Sequence, residues 1–67
     1  MKMIQVNSSV IEKVGYENCI LIVRYINGGM YAYSDVPKSV YEDFLNADSK
    51  GKFLSANIKP IYDYCKL

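Results

Sequence analysis

Between Cys19 and Ile26 the chain is apolar at nearly every position (CILIVRYI), with Arg24 the one charge. β-Branched and aromatic residues at this density favour a strand. Alternation puts Cys19, Leu21, Val23 and Tyr25 on one face and Ile20, Ile22 and Ile26 on the other. A strand apolar on both faces calls for cover on both. Asn27-Gly28-Gly29 follows and supplies the positive φ angles of a tight hairpin turn. Residues 30–35 (MYAYSD) then return as its partner, with Tyr31, Tyr33 and Asp35 on one face and Met30, Ala32 and Ser34 on the other. Upstream, residues 9–16 (SVIEKVGY) alternate with one fault: Val10, Val14 and Tyr16 share a face, and Glu12 falls among them. This predicts a strand closed by a tight turn at Glu17-Asn18. Residues 3–6 (MIQV) have the composition of a further short strand, broken by Asn7-Ser8-Ser9.

After Asp35 the period lengthens. Pro37 suits a first helical turn, and Ser39 with Glu42 fits a capping box, so the helix starts at either position. Val40, Tyr41, Phe44 and Leu45 make one apolar stripe that ends near Ala47. Asp48-Ser49 can cap a second helix, with Phe53, Leu54, Ala56 and Ile58 on its buried side and Pro60 as its stop. The tail IYDYCKL alternates and reads as a short strand or an extended arm. The expected fold is α+β: a three-stranded antiparallel meander followed by two short helices on one face (β-β-β-α-α), a single domain over residues 1–67. Two short helices cover one face of such a sheet. The second apolar face of residues 19–26 then needs another copy of the chain, or the tail folded back beneath it; the first alternative makes the protein a homo-oligomer through that face or an edge.

Composition narrows the function. The chain has 67 residues, is 51% hydrophobic, carries a net charge of +1 and has no His. That excludes a disordered chain and a strongly basic nucleic-acid arm. Without His there is no Ser/His or Cys/His nucleophile, and Glu42 and Asp43 are adjacent on a helix and face different ways. An enzyme is therefore not expected. Cys19 and Cys65 form no CxxC and no ligand cluster, so neither a metal nor another cofactor is expected. Cys19 reads as a small buried hydrophobe. The start MKMIQVNSS lacks a signal-peptide core, and the longest apolar run, Cys19 to Val23, is far short of the roughly 20 residues that span a bilayer. The expectation is a cytoplasmic protein with reduced thiols and no membrane partner. A domain this small is marginally stable alone, a second reason to expect oligomers.

The sharpest local feature is Ser49-Lys50-Gly51-Lys52. If Ser49 or Asp48 caps the second helix, the first-turn N–H groups of residues 50–52 point outward where helices attract anions, and Lys50 and Lys52 add charge. Gly51 lets a ligand approach the backbone. An ordinary capped helix start with solvated lysines is the competing reading. Tyr31 and Tyr33 can stack bases on a sheet or pack beneath the helices against Tyr41 or Phe44. Arg24 can bind phosphate or pair with Asp35 or Glu12 across the sheet. Lys59 and Lys66 extend a basic rim or are merely solvated.

Several fragments recur in a recognisable order: Val14-Gly15-Tyr16, Asn27-Gly28-Gly29, Tyr31-Ala32-Tyr33, Asp35-Val36-Pro37 with Val40-Tyr41, Phe44-Leu45 to Ala47, Ser49-Lys50-Gly51-Lys52-Phe53, and Ile58-Lys59. In these the chain strongly resembles the KTSC domain, a small domain found alone in bacteria and phages and at the C-terminus of some lysyl-tRNA synthetases. The resemblance covers about residues 8–62. It implies an RNA ligand by association with the synthetases; from the occurrence of stand-alone relatives in phages, one version of the expectation is an oligomeric protein that sequesters a nucleotide signal at subunit interfaces. The leading expectation is a small non-enzymatic binder of a nucleotide or short single-stranded nucleic acid, its site drawn from Ser49, Lys50, Gly51, Lys52, Arg24, Tyr31 and Tyr33. The alternative is a protein-interaction or dimerisation module that uses the apolar sheet face.

Overall fold

The protein is described by a computed structural model covering residues 2–67. Five strands form one antiparallel sheet in chain order: β1 (Ile4–Gln5), β2 (Ile11–Glu17), β3 (Ile20–Tyr25), β4 (Met30–Tyr33) and β5 (Tyr64–Lys66). Helices α1 (Lys38–Asn46) and α2 (Lys50–Asn57) lie between β4 and β5. The α+β class holds, but the sheet has five strands where three were expected. The two additions are only two and three residues long and wholly exposed. Such segments show almost no burial pattern. They become strands by adding main-chain hydrogen bonds to edges already present.

The β2–β3 turn corrects one expectation. Asn18 (φ 53°) and Cys19 (φ 64°) are both left-handed, and Glu17 pairs with Ile20. This is the two-residue loop whose twist matches a hairpin. Cys19 is therefore an exposed turn residue and not a buried strand residue. Its carbonyl accepts the Val36 N–H at 2.8 Å.

A second correction lies in β2. The register shifts between Ile11 and Lys13, which pair with the consecutive residues Tyr25 and Arg24. The extra residue is Glu12, and a bulge of this kind changes which side chains face inward. Ile11, not Val10, joins Val14 in the core, and Val10 is 48% exposed. The fault in the alternation is thereby resolved.

The helices cover one face of the sheet. Phe44 of α1 and Leu54 of α2 are buried against Leu21 and Val23 of the same core, and Ile58 closes it. Tyr16 stacks on Tyr41 with ring centroids 4.5 Å apart, and its hydroxyl donates to the Val36 carbonyl at 2.6 Å. α1 starts after Pro37, whose carbonyl accepts the Val40 N–H at 3.0 Å. Ser39 lies inside the helix, so the capping-box start is not used. α2 starts as expected, with Ser49 Oγ accepting the Lys52 N–H at 3.4 Å. Ala56, expected on the buried side, is exposed.

The tail does not fold back beneath the sheet. It pairs with β4 as β5, and the face bearing Ile20, Ile22 and Arg24 stays uncovered within the chain. Both cysteines are free. Among the described residues, no helix is long and apolar enough to cross a membrane.

Candidate functional site

Two adjoining grooves lie on the helical side. The first, about 820 Å³, runs between the β1–β2 loop and the start of α2 and is lined by Asn7 to Val10 and by Asp48 to Lys52. The loop is held by Ser8, whose Oγ accepts the N–H groups of Val10 and Ile11, each at 3.1 Å. Gly51 serves this contact: a Cβ there would sit 3.4 Å from Val10 Cγ2. Its backbone is thus approached by Val10, where a ligand had been expected. Lys50 also turns out differently: its Nζ donates to the Ala47 carbonyl at 3.4 Å, at the end of α1. Lys52 is exposed. With the Lys52 N–H taken by Ser49, the main-chain donors left for an anion are those of Lys50 and Gly51, the unbonded first turn of the helix.

The second groove, about 830 Å³, opens over β3–β5 and the end of α2. Tyr31 and Tyr64 meet edge-on within it at 5.6 Å, and Tyr31 meets Tyr25 at 5.5 Å. Lys59 Nζ lies 5.6 Å from the Tyr25 ring centre, and Lys66 lines the rim. The Tyr25 and Tyr33 hydroxyls share a hydrogen bond of 3.0 Å beneath. Burial, first of all, raises both of these phenols, Tyr25 well above the usual tyrosine range.

The two grooves share Val10 and Ser55, so they run together over those side chains. Charge is unevenly spread along them. Lys50, Lys52, Lys59 and Lys66 are four of the chain's eight basic residues, and Asp48 is the single one of its seven acidic residues that lines either groove. A near-neutral chain thus holds a basic, Tyr-lined track.

The structure brings Ser49, Lys50, Gly51, Lys52 and Tyr31 to this track. Tyr33 also lines the second groove, but it is 1% exposed and belongs to the core, so its ring offers no free face. Arg24 lies on the opposite face of the sheet, where its Nε donates to Glu12 Oε1 at 3.3 Å. It cannot reach the same ligand, and pairing is the reading that applies. Asp35 takes no part: the strand ends at Tyr33, and Asp35 is an exposed turn residue at φ 60°. Tyr64 is 59% exposed and was missed as a site residue. Its signal was the tail's alternation, which as a strand pairs Tyr64 with Tyr33. Among the described residues no group of three or more His, Cys, Asp or Glu is placed to hold a metal ion.

Comparison with known proteins follows the same lines. The family profile of the KTSC domain matches residues 7–62. A protein of Tsukamurella paurometabola is 42% identical over 57 residues, covering 82% of this chain and 85% of its own. An uncharacterized protein of Stutzerimonas stutzeri is 37% identical over 62 residues, covering 90% and 87%. The crystal structure of a KTSC domain protein from Yersinia pestis superposes with a TM-score of 0.94 at 32% identity, over 98% of this chain and 96% of that one.

Proposed function

The chain belongs to the KTSC domain family, and from that starting point we propose that it is a non-enzymatic binding protein for a nucleotide or a short single-stranded nucleic acid. The observation that carries the reading is the joined pair of grooves, with a helix start flanked by Lys50 and Lys52 at one end and tyrosines beside Lys59 and Lys66 at the other. A phosphate group would lie at the start of α2, against the N–H groups of Lys50 and Gly51 and the Lys52 ammonium. A base would stack on Tyr31 or Tyr64, with Lys59 and Lys66 beside it. The ligand is held and not turned over. With a net charge of +1, the chain has few cations to offer, which suits a ligand of few phosphates better than a duplex. Two exposed free thiols suit a reducing, cytoplasmic setting.

Calorimetric titration with nucleoside mono-, di- and triphosphates and with short oligonucleotides tests this. Tyr64→Ala should weaken the best ligand by about tenfold, as loss of one stacked base predicts. Lys52→Ala should weaken it by several-fold, more at low salt than at high. Lys38→Ala, outside both grooves, should leave it unchanged. Equal affinity of all three variants for every ligand that binds would refute the assignment.

A second reading has its own observation. Ile20 is 38% exposed and Ile22 half-buried on a sheet face that no element among the described residues covers. That face suits protein contact. A stoichiometric protein partner lost on Ile20→Lys, with nucleotide affinity retained, would support it.

A further inference from the structure

β5 ends the sheet, and its hydrogen bonding shows what its outer side offers. Ser34 N–H donates to the Asp63 carbonyl at 2.9 Å, and Leu67 N–H donates to the Met30 carbonyl at 2.8 Å. Residues 63, 65 and 67 therefore direct their main chain at β4. By alternation, the N–H and C=O groups of Tyr64 and Lys66 point out of the sheet. An edge of this kind is a template for another strand.

We infer that a second copy of the chain pairs antiparallel along this edge, with the two-fold axis through Cys65. In that register Tyr64 faces Lys66 of the second copy, Lys66 faces its Tyr64, and the outward groups of all four residues close four hydrogen bonds. The alternatives are poorer. An axis through Lys66 sets two ammonium groups opposite each other. An axis through Tyr64 sets Lys66 against Tyr62 of the second copy, a residue whose N–H is already given to the Ile58 carbonyl at 2.9 Å. The occupant is a second copy because the edge is complementary to itself in that one register.

Both faces of the sheet gain from it. On the open face, Gly15, Ile22, Ala32 and Cys65 are successive cross-strand partners and form one apolar row. The axis continues that row into its own copy. On the helical face, Tyr64 and Lys66 line the rim of the second groove. Pairing sets the second copy's Lys66 beside Tyr64, where cation and ring attract, so each copy contributes to the rim of the other's groove. The pairing stands whether or not the grooves hold a nucleotide.

The axis also supplies the readout. The two Cys65 residues face each other as a non-hydrogen-bonded pair, with Cα atoms about 4.5 Å apart, inside the range a disulfide spans. Diamide, an azo oxidant, takes two electrons and two protons from the two thiols and leaves an S–S bond. In reducing buffer, light scattering should show the mass rising toward twice the monomer with concentration. Diamide should trap a covalent dimer from Cys19→Ser, which keeps Cys65, and about tenfold faster than from Cys65→Ser, which keeps the likewise exposed Cys19. Lys66→Pro removes one outward N–H and no bond to β4. It should return a monomer with an unchanged circular dichroism spectrum. Cys65→Arg, which sets like charges at the axis, should do the same if the proline disturbs β5. A monomeric mass of the unmodified chain at every concentration in reducing buffer, or equal trapping rates for the two single-cysteine variants, overturns the proposal.

Discussion

The two faces of β3 make an instructive contrast. Leu21, Val23 and Tyr25 alternate with Ile20, Ile22 and Arg24, and in hydrophobicity the two sets differ by a single residue. Yet Leu21 and Val23 are fully buried, while Ile20 is 38% exposed and Arg24 pairs with Glu12 in a half-exposed ion pair. The difference comes from the helices. α1 and α2 bring Phe44, Leu54 and Ile58 to one side, and among the described residues no further element covers the other. An apolar strand face thus states a demand for cover, and which face receives it depends on where the next elements dock.

The largest expected effect tests this contrast directly. Phe44→Ala removes a fully buried ring from beneath the covered face and should cost about 3–5 kcal/mol in urea unfolding. A domain of this size has little more than that to lose. Ile22→Ala on the open face should cost about 1 kcal/mol or less. Equal losses would mean that the open face is covered after all, as pairing with another chain would do.

A smaller effect concerns the polar link within the covered face. Tyr33→Phe leaves the Tyr25 hydroxyl without its 3.0 Å partner and should cost about 1–2 kcal/mol. Adding Tyr25→Phe should recover part of that loss, because no buried hydroxyl is then left unpaired. The same pair sets a pH dependence. Burial raises both phenols in the fold, so the folded state keeps protons that the unfolded chain releases near pH 10. Stability is full below about pH 10 and falls as the pH rises beyond it. Unfolding followed by tyrosinate absorbance should show this, with a shallower fall in the double Phe variant.

The smallest effect belongs to the open face. Arg24→Ala breaks an ion pair whose side chains are 43% and 39% exposed, and should change stability by about 1 kcal/mol or less, less still in high salt. A loss beyond that in a concentrated sample, vanishing on dilution, would point to a face buried between copies.

Much of the fold was legible in the chain. The β3–β4 hairpin announced itself in Asn27-Gly28-Gly29, and Gly28 indeed adopts φ 101°. Phe44, Leu54 and Ile58 were legible from helical spacing, and Ser49 from its capping chemistry. The site was legible in part. Ser49 to Lys52 and Tyr31 line the joined grooves, but Tyr33 went to the core and Arg24 to the far face. Parity explains Arg24, since its neighbours Val23 and Tyr25 point to the helices. Tyr33 and Tyr31 share that parity and both line the second groove, and only the placement of α2 and β5 decides that Tyr33 is buried and Tyr31 half-buried.

The sequence by itself determined what neighbouring residues can settle: the β3–β4 turn, the main helical stripes, the apolar central strand and the family. Those depend on backbone preference and on periodicity, both local. The tertiary structure alone decided the bulge at Glu12, the pairing of β1 and β5, the exposure of Cys19 and the joining of two grooves over Val10 and Ser55. These rest on main-chain hydrogen bonds and packing between residues far apart in the chain. Nearly any side chain can accompany a main-chain hydrogen bond, so the residue pattern does not record where it forms.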